Sequence, residues 1–311
     1  MHKDPRPLIA AIGGASIDHK FTLFAPLSKE TSNPVAKGIS QGGVIRNVAE
    51  NIARLGGKVQ LYTLIGDDAE GDIIVDYNKD YMDMSEVNII EGETTANYIA
   101  LVKEDGNLVY GLAAMEIFEQ LNEEFITSHL PCLEKAEYIV ADMNLTLDAF
   151  YALINFAKTK SKRLIIIGVS GPKMARLPKN LDGIYLIITN RDEGEAYFNL
   201  SEGSDPLELA KAYQQAGATN AVVTNGANPT AYVSEEAEGL VPAKKVENII
   251  DVTGAGDSFS GATIYALSRG WELGEAILFG SANAAGTLKS PLSVRDDLSY
   301  EQLLKEYNQL K

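Results

Sequence analysis

Residues 251–262 read Asp-Val-Thr-Gly-Ala-Gly-Asp-Ser-Phe-Ser-Gly-Ala. Gly254, Ala255 and Gly256 stand directly before an acid, Asp257, at the first turn of a predicted helix. In that helix Phe259, Ala262, Thr263 and Ala266 recur at helical spacing, and Gly270 stops the run. Free N–H groups at such a start, together with the positive end of the helix dipole, hold anions. A carboxylate in the same turn has two readings: an ordinary helix cap, or a base stationed beside an anion site. The preceding segment, residues 244–250, is polar and then apolar and predicts a short strand. Phe259 occupies the place of the third glycine of a dinucleotide fingerprint, and no G-x-x-x-x-G-K-[ST] occurs, so the turn is neither a Rossmann nor a Walker site.

Two further stretches carry chemistry-bearing residues. In 42–57, Val44, Val48, Ile52 and Leu55 form one apolar helical face, Gly56 is a natural stop, and Asn47 and Asn51 lie one turn apart on another face. The two asparagines could simply be solvated. The paired Gly42 and Gly43 ahead of them leave room for a ligand to approach the helix start, and a sugar's hydroxyls suit such a mixture of amides and backbone. Asp18 follows the first strand in Gly-Gly-Ala-Ser-Ile-Asp; it is either a turn residue or a carboxylate able to accept the two protons of a diol.

Positioning these residues requires a scaffold, and the apolar pattern supplies one. Runs of strand length, among them 8–14, 59–66, 138–142, 163–169, 184–189 and 220–224, alternate with helical patterns such as 147–159 and 205–217. Runs apolar on both faces, alternating with helices, predict a mainly parallel sheet covered on both sides, hence an α/β fold in a single domain, 1–311. Residues 94–115 break the rhythm: two strand patterns flank Asp105-Gly106, a hairpin signal, and predict a small β lid assisted by residues 19–40. Two strands alone are marginal. The ribbon therefore leans on the main sheet, on 19–40, or on its equivalent in a second subunit, and a homodimer through it is expected.

Composition sets the outer bounds. A net charge of −16 argues against nucleic-acid or anionic-membrane surfaces, while an acidic enzyme can still hold anions with backbone N–H groups and a divalent cation. The one cysteine, Cys132, excludes an internal disulfide and reads as a small buried or half-buried hydrophobe, with only His129 nearby in sequence. The first apolar run ends in a glycine turn and reads as a strand rather than a signal peptide, and no run approaches membrane-spanning length. A soluble, cytoplasmic protein is the expectation.

Taken together, 42–56 and 251–262 resemble the N-terminal and C-terminal signatures of the PfkB, or ribokinase-like, carbohydrate kinases, and the likeness runs nearly end to end. Residues 189–194, Thr-Asn-Arg-Asp-Glu-Gly, carry Asn190 and Glu193 in the spacing of that family's N-x-x-E motif. Within the family, 42–56, 115–121, 141–145 and 169–178 look most like pseudouridine kinases. The resemblance implies a three-layer α/β/α fold with a β lid and an ATP-dependent kinase acting on a nucleoside or sugar. It implies Asp257 as base and the 254–256 turn as anion hole, with Asp18, Gly42, Gly43 and Asn47 on the substrate. It further implies Asn190 and Glu193 near Mg²⁺ and its waters, and Thr224, Gly226 and Asn283 along the adenosine. Asp251 and Thr253 are similar to the start of a monovalent-cation loop, which makes K⁺ a candidate activator. Pro229 stands where the family commonly has a second glycine. A non-catalytic nucleoside or sugar sensor on the same fold is the competing class; retention of Asp257 with the full glycine turn favours the enzyme.

Overall fold

In the computed structural model, which describes residues 6–311, the apolar runs become the strands of one large sheet. The chain order is β1 (Leu8–Ile12), β2 (Ser16–Leu23), β3 (Val35–Gly42), α1 (Val44–Arg54), β4 (Lys58–Gly66), α2 (Ala69–Asn78), β5 (Asp83–Ile90), β6 (Asn97–Val102) and β7 (Leu108–Ala114). There follow α3 (Glu123–Leu133), β8 (Tyr138–Asp142), α4 (Leu147–Lys160), β9 (Arg163–Ile167), β10 (Leu186–Asn190), α5 (Arg191–Phe198) and α6 (Pro206–Gln215). The last elements are β11 (Asn220–Asn225), β12 (Asn228–Val233), β13 (Glu238–Val241), α7 (Ala255–Ser268), α8 (Leu273–Thr287) and α9 (Tyr300–Asn308).

Nine strands form the large sheet in the order β13-β12-β11-β10-β9-β8-β1-β4-β5, parallel from β11 to β5 and antiparallel where β12 joins. Strand alternation divides each buried strand between two cores. In β1, Ala10 and Ile12 pack with Phe125 of α3, Phe150 of α4 and Tyr213 of α6, while Ile9 and Ala11 pack with Ile45 of α1, Phe259 of α7 and Phe279 of α8. The result is a three-layer, ribokinase-like α/β/α architecture. A second sheet of four strands, β3-β2-β6-β7, projects from it. The 94–115 ribbon thus leans on β2, which is paired parallel to β6 and antiparallel to β3. Its hairpin turns at Asp105-Gly106 with Gly106 at φ +84, as the Asp-Gly signal predicts.

One local expectation is corrected, and one open choice is narrowed. Residues 244–250 are not a strand: Pro242 ends the ladder at β13, and the chain crosses as irregular backbone, tied by the Ile250 N–H to the Leu288 carbonyl at 2.8 Å. The turn at 254–257 therefore follows a loop, not a strand. Asp18 is not in a turn but within β2, opposite Ser40 of β3. Cys132 is half-buried. Among the described residues no helix is long and apolar enough to cross a membrane.

Candidate active site

Helix α7 begins at Ala255, with Gly254 as its N-cap at φ +78. A Cβ on Gly254 would collide with the Ser293 backbone, so both conformation and space demand glycine there. At Gly256 a Cβ would meet only open space. The Ala255 N–H reaches the Val252 carbonyl at 3.4 Å, and the N–H groups that follow it in this first turn have no partner within the helix and can receive an anion.

The acid of that turn does not cap its own helix. Asp257 instead accepts a hydrogen bond from Nδ2 of Asn47 at 2.7 Å, joining α7 to α1 across 210 residues of sequence. Burial pushes the Asp257 carboxyl up to about 7; the Asn47 bond and the Arg46 charge pull the other way, while Asp142 and Asp18 push it further up. Such a group changes charge in the neutral range, where a base is most useful.

A second cluster is built where β2, β3 and α1 meet. Helix α1 opens on Gly43 at φ +91, and a Cβ there would strike the Gly14 carbonyl. A Cβ on Gly42 would fill the space of the Asp18 carboxylate. Burial raises the Asp18 carboxyl, with Arg46 opposing. Asp18, Gly42, Gly43 and Asn47 are thereby brought together beside Asp257. Asn47 differs from expectation in one respect: rather than standing free for a ligand, its amide oxygen takes an Arg46 proton and its nitrogen serves Asp257, leaving one N–H. Asn51, the other asparagine of α1, is wholly internal and bonds Asn283.

Behind this wall lies a carboxylate that sequence reading missed. Asp142, at the C-terminal end of β8, is 0% exposed and accepts the N–H groups of Gly14 and Ile45, each at 3.1 Å, and that of Asn144 at 2.9 Å. It ties the loop after β1 to the first turn of α1. Its available signal was an acid ending a wholly apolar strand run, Tyr-Ile-Val-Ala-Asp. Burial raises its carboxyl as well.

On the opposite side of the turn, a cavity of about 390 Å³ is lined by Thr224, Gly226, Ala255 and Gly256 with apolar walls from Val246 and Leu288. Three larger clefts, of about 650, 740 and 470 Å³, lie at β13–α8, beside residues 23–27 and beside Arg295, and contain none of these groups. Asn283 does not line the 390 Å³ cavity: it is 0% exposed, donates to Asn51 Oδ1 and the Ser258 carbonyl, and accepts from Arg295. It ties α8 to α1 and α7 from within.

Asn190 and Glu193 form a reciprocal cap at the start of α5. The Asn190 side chain accepts the Glu193 N–H at 2.8 Å, and the Glu193 carboxylate accepts the Asn190 N–H at 2.9 Å. Glu193 is 5% exposed; burial lifts its carboxyl to about 7, with Asp257 adding to the rise. The charge of Asp257 is felt at Glu193, and hard carboxylate oxygens so placed fit Mg²⁺ held through water. They are too few for an all-protein cage, so the ion's other partners would be water and phosphate oxygens. Asp251 accepts the Thr253 N–H at 2.9 Å and pairs with Lys20 of β2 at 3.2 Å.

Comparison with known proteins bears on this arrangement. The family described as pfkB family carbohydrate kinase matches residues 6–296. The chain is 27% identical over 301 residues to the pseudouridine kinase of Escherichia coli (strain K12), covering 95% of each chain. It is 29% identical over 290 residues to the guanosine-inosine kinase of Exiguobacterium acetylicum, covering 91% of this chain and 94% of that one. A solved carbohydrate kinase from Agrobacterium tumefaciens shares the fold with a TM-score of 0.84 at 25% identity, over 97% of each chain.

Proposed function

The chain belongs to the pfkB family of carbohydrate kinases, and we propose that within it this protein phosphorylates the 5′-hydroxyl of pseudouridine with ATP as donor. The observation that carries the reading is the 2.7 Å bond between Asn47 and Asp257, which brings the acceptor-side helix against the catalytic turn. Bound ATP with Mg²⁺ supplies the phosphoryl group and screens its charge. Asp257, ionised, takes the proton of the acceptor's primary hydroxyl at a carboxylate oxygen. The N–H groups of 254–256 receive negative charge developing beside it, and base and anion hole are adjacent because one turn carries both. Asp18 accepts sugar hydroxyl protons, and Gly42 and Gly43 let the sugar approach the backbone. Thr224 and Gly226, which line the cavity beside the turn, would hold the nucleotide, while Asn190 and Glu193 would orient the waters of the metal. Asp251 and Thr253 are the candidate K⁺ loop, where an ion would share the Asp251 carboxylate with Lys20. The β2-β3-β6-β7 sheet serves as lid and as the face of a homodimer.

A nucleoside acceptor is supported by the names of two relatives, one acting on pseudouridine and one on guanosine and inosine. A coupled assay across pseudouridine, uridine, inosine, adenosine, ribose and fructose tests the choice. Highest kcat/KM on pseudouridine is expected; preference for inosine or a free sugar would overturn the substrate, and turnover of none would favour a binding protein on the kinase fold.

A further inference from the structure

Arg46 is 2% exposed. Its Nε donates to the Gly42 carbonyl at 3.1 Å and its Nη2 to the Gln41 carbonyl at 3.0 Å. The same Nη2 bonds the Asn47 amide oxygen, and Nη1 bonds Glu50. Glu50, 1% exposed, is itself held by Arg54 at 2.7 Å and by the Tyr77 hydroxyl at 3.1 Å. A buried ion pair of this kind is weak evidence for a stabilising role, because desolvation offsets its attraction.

Its directionality is informative. A guanidinium is a rigid planar fork of donors, and this one is clamped at its far end by Glu50. It spans two carbonyls of the acceptor-side turn and the oxygen of the Asn47 amide. An amide whose oxygen is held by a donor must present its nitrogen elsewhere, and here that nitrogen meets Asp257. A flipped amide would set its oxygen against the carboxylate.

We propose that Arg46 is a positioning residue for phosphoryl transfer: it fixes the orientation of the Asn47 amide and the Gln41–Gly42 backbone, and so holds base and acceptor in register. The proposal rests on the reading of Asp257 as base. The groups facing Asp257 are Arg46 and Asn47 from α1, Asp18 from β2, Asp142 from β8 and Glu193 from α5. Arg46 draws the Asp257 and Asp18 carboxyls downward, while the positive charge acting on Asp142 is that of Lys173.

The test uses Arg46→Lys and Arg46→Gln, with kcat and KM followed against pH, folding checked by circular dichroism, and acceptor affinity measured by calorimetry. Lysine keeps the charge and loses the fork, so Arg46→Lys lowers kcat by about 10-fold to 10²-fold, the scale of a small misplacement, and raises the acid limb no further than Asn47→Ala does. Arg46→Gln adds an upward shift of the acid limb. In an Arg46→Lys/Asn47→Ala double variant the loss is no greater than in the worse single variant, because both act through one amide. Full kcat in Arg46→Lys, an unmoved limb in folded Arg46→Gln, or losses that multiply in the double variant would each overturn the proposal. Should Arg46→Gln fail to fold, Arg46→Lys and the double variant decide. Turnover surviving in Asp257→Asn removes the base assignment separately; the Arg46–Asn47 cycle read by acceptor affinity is independent of that result.

Discussion

Consider Asn47→Ala. The 2.7 Å bond from its amide to Asp257 favours the charged carboxylate. A hydrogen bond to a charged group contributes about 1.5–3 kcal/mol, and for a half-buried acid the lower figure applies. At about 1.4 kcal/mol per pKa unit this moves Asp257 from about 7 to about 8. Wild-type kcat then falls about 10-fold between pH 8 and pH 6, following the ionised fraction of a group titrating at about 7. In the variant the ionised fraction near pH 7 drops from about one half to about one tenth, a loss of about 5-fold that disappears near pH 9. Any loss from misorientation is independent of pH and enters as a vertical offset, so the two effects separate in one profile. Product formation should be followed by chromatography from pH 5.5 to 9.5, which avoids coupling enzymes with their own pH dependence. An acid limb that coincides with the wild type, or moves to lower pH, would refute the claim that this bond tunes the base.

Asp257→Asn should keep its fold and its calorimetric affinity for nucleotide while kcat drops by at least about 10²-fold, the lower range for losing a general base; near-normal turnover removes Asp257 from the chemistry. Asp18→Ala should chiefly raise KM for the acceptor, since it contacts ground and transition states alike, and unchanged acceptor affinity by calorimetry contradicts this. Asp257 and Glu193 both hold protons up to about 7, above the 3.8 and 4.5 of free carboxyls, so the folded chain binds more protons than the unfolded one between those values. Stability therefore falls as pH rises through that window, and Glu193→Gln should show a smaller Tm difference between pH 5 and pH 8 than the wild type; equal differences would count against the shift. Ile39, Leu108, Tyr110 and Leu112 are exposed on the small sheet, and a homodimer through it should appear in light scattering, with added hydrogen-exchange protection over 94–115 when pseudouridine binds. A monomeric mass removes the dimer, and no added protection removes the lid.

The parts legible in the sequence were those that backbone chemistry dictates. Gly254 and Gly43 announce positive φ and close approach, Asp105-Gly106 announces a hairpin, and doubly apolar runs such as Leu164–Ile167 announce buried parallel strands. Strands at and near the edges lacked that signature: β5 is made of exposed and half-buried residues, and β12 carries a proline, Pro229, at its second position. Residues 244–250 carried a strand-like pattern but no neighbour to pair with. Asn283 could not be placed because burial of an asparagine is decided by partners distant in sequence, here Asn51 and Arg295. Arg46 and Asp142 were missed for the same reason. A charge inside a helix or at a strand end looks solvated until the surrounding elements enclose it.

The small sheet has a consequence for how the chain is made. Ile17 of β2 pairs with Asn97 of β6, 80 residues later, and at ribosomal rates of about 5–20 residues per second the partner follows after about 4–16 s. Until then β2 has only β3 beside it, a two-stranded hairpin of marginal stability with one edge unpaired. The second edge of β1 waits longer, since Ile9 meets Val59 of β4 first and Tyr138 only after α3 has been synthesised. Several ribosomes on one message therefore hold copies of the same open β2 edge at once. Chains that stop before residue 97 keep that edge for good, and the 16–42 hairpin is the segment through which they would associate.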